Sequence, residues 1–411
     1  MKFLTPLLFL AASLHAATLP GFRVETVADV PGFVSSVATD SHGVIYCTNT
    51  SGVVFRIDGG QAIPVASLPT QAGGNGGLLG MALVDDTTAA IHYTTWFAER
   101  VLDDVVSLVN LRSGAETVLH DFVCDIEQRE RGASSEHHGG NPTVASDGTI
   151  FVGIGEYNDF QLAQKPEWNG GKIFRLDALG NATQFALGLR NPYDLAWDPE
   201  MERIVVGDNG PTGGDELHII DEGSNCGWPE TVGHEPQVKG TIPPDFVFPE
   251  TVAPTGIARL ARDANPLLRR GYLVGAFVTR SLYYFPDLAA RPVAAPLAIV
   301  DHFDDAVIDV TQAPNGDVYL ATARFPPASR IQRLVVPARG DCNGDGFTDA
   351  RDVSALMREI DDGGPHSMIS AQDGVYPGSW GCDANADGLI DAGDLAALGK
   401  QLSRKRAVKV R

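Results

Sequence analysis

One hairpin grammar recurs between about residues 20 and 336, and few folds can satisfy it. Each copy is an apolar strand, a polar turn with Asp and Gly, and a Tyr- or Val-rich strand. A gap follows, then a strand ending near a basic residue. Four copies are clear, over residues 37–58, 145–177, 195–221 and 313–334. Each alternates with period two, as the strands of one small sheet do. Hairpins repeating at roughly 40–50 residues predict a β-propeller. About 315 residues at that period allow six or seven blades, and irregular inserts at 124–140 and 228–250 favour six. A pair of β-sandwiches would not repeat one turn so often. The expected fold is all-β: a six-bladed propeller over 20–336, then a small helical unit over 340–403 and a basic tail over 404–411.

Composition narrows the setting. The formal net charge of −21 argues against nucleic acid and anionic membrane surfaces as partners. Residues 1–16 read as an export signal: Lys2 supplies the positive start, 3–12 the apolar run, and the cut falls before Ala17. That run is too short to span a bilayer, and no later stretch is long enough. A secreted product is expected, so disulfides are permitted. Of five cysteines, Cys342 and Cys382 sit at equivalent ends of two similar loops and are the expected pair. Cys47, Cys124 and Cys226 remain, an odd number. Asn49 and Asn181 open glycosylation sequons, which matter only in a host that glycosylates.

The sharpest local signal lies near the C-terminus. Asp341, Asn343, Asp345, Asp349 and Asp352 fall at positions 1, 3, 5, 9 and 12 of a loop with Gly346 at its bend. Asp383, Asn385, Asp387, Asp391 and Asp394 repeat the spacing around Gly388. Calcium needs six to eight oxygens around one point, and the carbonyls of Phe347 and Leu389 at position 7 would add one each. Four Asp per loop would repel one another without a cation. An apolar helical run follows each loop, over 353–360 and 395–402. This loop–helix pair resembles a type I dockerin domain, which implies calcium and a cohesin-like protein partner. The family's partner-selecting positions hold Ala350-Arg351 and Ala392-Gly393 here, a departure from its hydroxyl-rich pairs.

Three polar blocks stand among the hairpins. They are Glu136-His137-His138-Gly139-Gly140, Gly188-Leu189-Arg190-Asn191-Pro192, and Asp208-Asn209-Gly210-Pro211 followed by Asp215, Glu216 and Trp228-Pro229. A His able to accept a proton, a fixed guanidinium and a carbonyl-rich turn suit a polar ligand site. Each also has a structural reading. His137 would bond a loop, His138 would face away, Arg190 to Pro192 would tie two blades, and Asp301, Asp304 and Asp305 would form a solvated turn.

With Gly76-Gly77-Leu78-Leu79-Gly80 ahead of them, these blocks resemble the soluble quinoprotein glucose/sorbosone dehydrogenase family. The resemblance implies a six-bladed propeller that oxidises sugars with pyrroloquinoline quinone (PQQ) and calcium. It implies His137 as general base, and Asn75, Glu136, Arg190 and Asn191 as cofactor contacts. It implies the carbonyls of Gly210 and Pro211 as ligands of the cofactor's calcium, and Glu216 as ligand of a structural calcium. The family's cofactor-binding Lys is Val278 here, and its two Arg positions are Ala306 and Ile308. Arg270, Arg280 and Arg324 are nearby in sequence as substitutes. The principal reading is therefore a secreted sugar or polyol dehydrogenase, carried with a dockerin-like unit. The alternative is a non-catalytic propeller that has lost PQQ and binds glycan or protein. A lactonase-like hydrolase would need a ring of Asp, Asn and Glu around a central calcium, which the sequence does not assemble.

Overall fold

The computed structural model describes residues 17–18, 22–98, 101–123, 136–236, 238–261, 268, 270–324, 328–361, 366–367, 380–387 and 389–409. The export-signal reading of 1–16 and Cys124 lie outside them.

Six antiparallel blades form a ring. Their inner strands are Val34–Thr39, Leu78–Asp85, Thr143–Val144, Pro192–Asp198, Pro254–Arg259 and Ala306–Gln312. Each packs against its neighbours around a central channel. Blade six takes its outer strand from the start of the propeller: Arg23–Val30 pairs with Ala328–Val335. The same strand touches blade one through Asp29 and Gln61, so the two ends of the propeller close the ring together.

Apolar side chains of adjacent blades mesh between the sheets. Ala306 and Ile308 of blade six pack with Val37, Cys47 and Phe55 of blade one. Val206 and Leu195 of blade four pack with Ile173 and Phe151 of blade three. Irregular steps in the inner strands, at Pro192/Asp194 and Val307/Asp309, aim single side chains at the channel axis.

Two helices follow, Ala350–Asp361 and Ala392–Lys409. Each starts just after position 9 of its loop. Leu356, Leu398 and Ala384 share one buried cluster with Leu260, Leu273, Tyr284 and Leu334, so the helical unit sits against blades five and six. Cys342 and Cys382 form the expected disulfide between the two loops. Cys47 and Cys226 are free and buried, and burial pushes the Cys47 thiol up to about 12. No helix among the described residues is long and apolar enough to cross a membrane.

Candidate active site

The inner strands start at one end of the channel, and the polar blocks gather there. His137 stands in the left-handed region at φ 59, ahead of the blade-three inner strand. The turn after it runs so close to its neighbours that a Cβ on Gly139 would lie 2.0 Å from the carbonyl oxygen of Gly153, and Gly139 itself has φ +83. Only glycine fits both constraints. The turn thereby fixes His137, whose side chain is 10% exposed.

A buried carboxylate orients that ring. His137 Nδ1 and Glu156 Oε1 are 2.9 Å apart, and Glu156 is 2% exposed. The other carboxylate oxygen, Oε2, is buried without a hydrogen-bond partner among the described residues. Arg190 Nε lies 3.9 Å from Oε1, so Glu156 stands between the base and the cation. The Glu156 N–H donates to the Arg190 carbonyl at 2.9 Å, which ties the two segments. With Nδ1 held, Nε2 is the nitrogen left to work on a ligand.

Arg190 is braced from several sides. One Nη donates to the carbonyls of Asn209 at 2.9 Å and Gly210 at 3.0 Å. Its guanidinium lies 5.8 Å from the Trp228 ring centroid, a cation–π distance. The Arg190 and Asn191 N–H groups both donate to the Asp208 carboxylate, at 2.9 and 2.7 Å. Burial pushes the Asp208 carboxyl up to about 7, against those donors. Asn191 Oδ1 accepts from the Gly139 N–H at 3.0 Å, which links the Arg block to the His block. Asp215 accepts three N–H groups, from Gly210, Val252 and Ala253, and pins the Gly210 turn to blade five.

The other sequence candidates border this cluster, with Glu216 paired across the strands to Asp208. Asn75 and Glu136 are exposed on their loops. Glu216 is buried, with one oxygen on the Gly233 N–H and the other 2.8 Å from His218 Nε2. The Pro211 carbonyl accepts from the Gly214 N–H at 2.8 Å. His138 does turn from the mouth, but into a buried network: its Nδ1 is 3.1 Å from Asp104, which also meets His92 at 3.2 Å. Burial alone would raise the Asp104 carboxyl, and the two flanking imidazoles hold it well below the usual range instead.

The three departures fall in different places. Val278 and Phe277 are exposed on the blade-five turn at the mouth end of the ring. Ala306 and Ile308 are buried in the apolar cluster between blades six and one. Among the candidate substitutes, Arg324 ends the second strand of blade six on the mouth side. It lies 3.6 Å from Asp305, which also binds Arg330 at 2.9 Å. Asp305 is therefore a buried clamp, not part of a solvated turn. Arg280 is exposed on the blade-five turn. Arg270 lies just before the blade-five second strand, at the far end of the channel.

The calcium-type loops repeat one another in bonding as in sequence. The position-12 carboxylates Asp352 and Asp394 each close on the N–H groups of positions 3 and 9: Asn343 and Asp349, Asn385 and Asp391. Burial raises both Asp341 and Asp394, and Asp341 Oδ1 is buried without a hydrogen-bond partner among the described residues. An orphaned carboxylate oxygen at position 1 fits an oxygen-liganded cation. No three His, Cys, Asp or Glu side chains among the described residues already converge as a metal cage.

A six-bladed propeller with a polar mouth of His, Arg and carbonyl groups, followed by paired calcium-type loops, defines the class. The chain belongs to the glucose/sorbosone dehydrogenase family, whose pattern matches residues 34–326, and residues 339–403 match the type I dockerin domain. It is 27% identical over 356 residues to an aldose sugar dehydrogenase of Escherichia coli, covering 78% of this chain and 95% of that one. A putative oxidoreductase (glucose dehydrogenase) of Thermus thermophilus superposes with a TM-score of 0.65 at 25% identity, over 76% of this chain and all of the other. The PQQ-bound aldose sugar dehydrogenase of Streptomyces coelicolor has the same fold, with a TM-score of 0.63 at 22% identity, over 78% of this chain and all of that one.

Proposed function

We propose that the mouth is the active site of an exported sugar or polyol dehydrogenase that uses PQQ and calcium. The observation that carries this reading is the buried His137–Glu156 pair, 2.9 Å apart, beside a braced guanidinium. Oxidation of a secondary alcohol removes a hydroxyl proton and a hydride. His137 Nε2 takes the proton, and Glu156 stabilises the imidazolium that results. Arg190 offsets negative charge that grows beside it. Asn191 and Arg190 would hold the reacting edge of the quinone, and the Gly210 and Pro211 carbonyls its calcium. When bound, the quinone would supply the two-electron acceptor for the hydride.

The residues present fit that reacting edge. The opposite, carboxylate-bearing edge has fewer partners. Val278 is apolar and exposed, and Arg324 is shared with Asp305. The Gly210 carbonyl already accepts from Arg190, so calcium there would compete with the guanidinium. Each missing charge-assisted bond is worth roughly 1.5–3 kcal/mol, so cofactor affinity should be orders of magnitude weaker than three further cations would give. The same apolar rim of Phe277 and Val278 favours the second reading, a non-catalytic propeller that binds glycan or protein. In either case the calcium loops and the dockerin match support attachment to a cohesin-like partner outside the cell.

A PQQ titration of the purified, calcium-loaded protein tests the reading. The cofactor's absorbance is followed, then its bleaching by a panel of aldoses. Binding with sugar-driven reduction that is lost in His137→Ala is the expected result. No binding at high micromolar PQQ would refute it and leave the binding propeller.

A further inference from the structure

The turn that carries His137 is gripped from three blades. Glu156 of blade three holds the ring, and Asn191, ahead of blade four, holds the Gly139 N–H. Blade four adds a backbone contact. The Asn141 N–H donates to the Tyr193 carbonyl at 2.9 Å, and a Cβ on Gly140 would lie 1.9 Å from that same oxygen. Blade two reaches the turn through two buried side chains that the chemistry at the mouth does not use. His92 lies on its second strand, Thr88–Ala98, and Asp104 on its third, Val101–Asn110.

Cross-strand register sets the two side by side. His92 pairs with Val106, so Asp104, two positions away, shares its face of the sheet. Both are fully buried, and so is His138 of the turn itself. His92 Nε2 is 3.2 Å from Asp104 Oδ1, and His138 Nδ1 is 3.1 Å from Asp104 Oδ2. His92 Nδ1 is 2.9 Å from the Gly140 carbonyl oxygen. Only the His92–Asp104 contact lies within blade two. The others end on His138 and Gly140, just after His137 in the chain.

The role of each atom follows from what it can do. Carbonyl and carboxylate oxygens only accept, so His92 donates from both ring nitrogens and His138 donates from Nδ1. His138 Nε2 is then a bare acceptor, and it is buried without a hydrogen-bond partner among the described residues. Burial opposes the charge on Asp104, and the two imidazoles outweigh it. The His138 ring also meets the Tyr157 ring edge-on, with centroids 5.3 Å apart, and the Tyr157 N–H donates to the His137 carbonyl at 3.2 Å. A sheet that needed only filling would take apolar residues here, as it does at Ile91 and Val106.

We propose that His92 and Asp104 are positioning residues for the base: they hold Gly140 and His138 so that His137 keeps its ring against Glu156. The proposal rests on reading the mouth as a dehydrogenase site. Neither residue reaches the mouth, and both act through the turn. Gly139 and Gly140 have no side chains to pack, so bonds to their backbone must locate them. A base displaced by about 1 Å can lose about a hundredfold in rate, and an unanchored glycine pair would allow such a shift.

Amide hydrogen exchange on the full-length protein is the first readout, because it needs neither cofactor nor sugar. In His92→Leu the Gly139 and Asn141 N–H groups should exchange about tenfold faster or more, while the strands of blades four to six keep their protection. His92→Asn returns a donor near the place of Nδ1 and should restore both amides. Steady-state sugar oxidation with PQQ and calcium is the second readout. In His92→Leu kcat should fall about tenfold or more with KM within about twofold, and His92→Asn should recover part of kcat. If His92→Leu fails to fold, Asp104→Asn takes its place with the same expected pattern. Unchanged exchange at Gly139 and Asn141, or protection lost evenly across blade two, would overturn the anchor. Loosened amides with full kcat would overturn the positioning role. Loosened amides with no oxidation by any of the proteins, the unaltered one included, would overturn the dehydrogenase reading beneath it.

Discussion

Glu156→Gln tests the mouth most directly. The substitution keeps the shape of the side chain and removes its charge. In the native arrangement Glu156 is 2% exposed and 2.9 Å from His137 Nδ1, so no bulk water shares the contact. The carboxylate accepts from the ring both before and after His137 takes a proton, but only the protonated ring gains the ion pair. A hydrogen bond to a charged group is worth roughly 1.5–3 kcal/mol, against roughly 1 kcal/mol for a neutral one. The difference falls on the step that charges His137, so kcat should drop by about 2- to 30-fold. KM should change little, because Glu156 is too buried to touch substrate. Arg190 has a second tie to this segment through the Glu156 N–H, so its position should survive. The assay is steady-state oxidation of the best aldose with PQQ and calcium saturating, beside a melting curve to exclude unfolding. An unchanged kcat with a correctly folded variant would refute His137 as a base oriented by Glu156. A pure rise in KM would place Glu156 in binding instead.

Two further perturbations test the scaffold. Lys172 is fully buried and donates to the carbonyls of Leu162, Ala163 and Gly170 at 2.7, 3.2 and 2.7 Å, closing the segment that carries Glu156. Burial pushes its ammonium down to about 7 from 10.5, so between these values the unfolded chain holds more protons than the native one. Stability should therefore rise with pH across that window, and urea melts should show Lys172→Met losing both that slope and roughly 3 kcal/mol from three orphaned carbonyls. Parallel pH profiles for the two proteins would refute the assignment. Calcium at about a hundred times its Kd should add about 2.7 kcal/mol for one site and raise the melting temperature, and chelation should reverse it. In Asp341→Asn/Asp383→Asn most of that rise should vanish from the calorimetric scan of the helical unit, and a persisting rise would take calcium away from the two loops.

The sequence made some of this legible and hid the rest for physical reasons. Blades one, three, four and six carry the repeated turn and could be counted. Blade two joins its first strands through Asp85 and Thr87, with the Asp85 side chain accepting the Thr87 N–H at 2.7 Å, a turn without glycine that breaks the pattern. Blade five is interrupted by the insert between Arg259 and Tyr272. Closure by the strand Arg23–Val30 is a contact across some 300 residues, and no local periodicity encodes it. The calcium loops were readable because every ligand lies within twelve positions of the first. The mouth was half readable: His137, Arg190 and Asn191 sit in compact polar blocks, but Glu156 meets its partner across 19 residues. One signal could have found it. In blade four the second strand ends at Asp208, the carboxylate that supports Arg190. In blade three the second strand ends at Ile154, and Glu156 follows at the corresponding end. A carboxylate just past a second strand reaches the mouth in both.

The same logic separates the two ends of the channel. Inner strands that begin at the mouth place their preceding loops there, and loops tolerate the exposed, strained and polar residues that chemistry needs. His137 at φ 59 is such a residue. Farther along, the same strands are packed against both neighbours, and a polar side chain persists only where backbone donors hold it. Asp194 and Asp309 meet that condition, each tied to the inner strand of the next blade. Burial pushes both carboxyls up, as a wall that solvates charge poorly does. Each carboxylate accepts two N–H groups on separate oxygens, one in its own strand and one in the next blade, which a hydroxyl or a side-chain amide with its single oxygen would not reproduce.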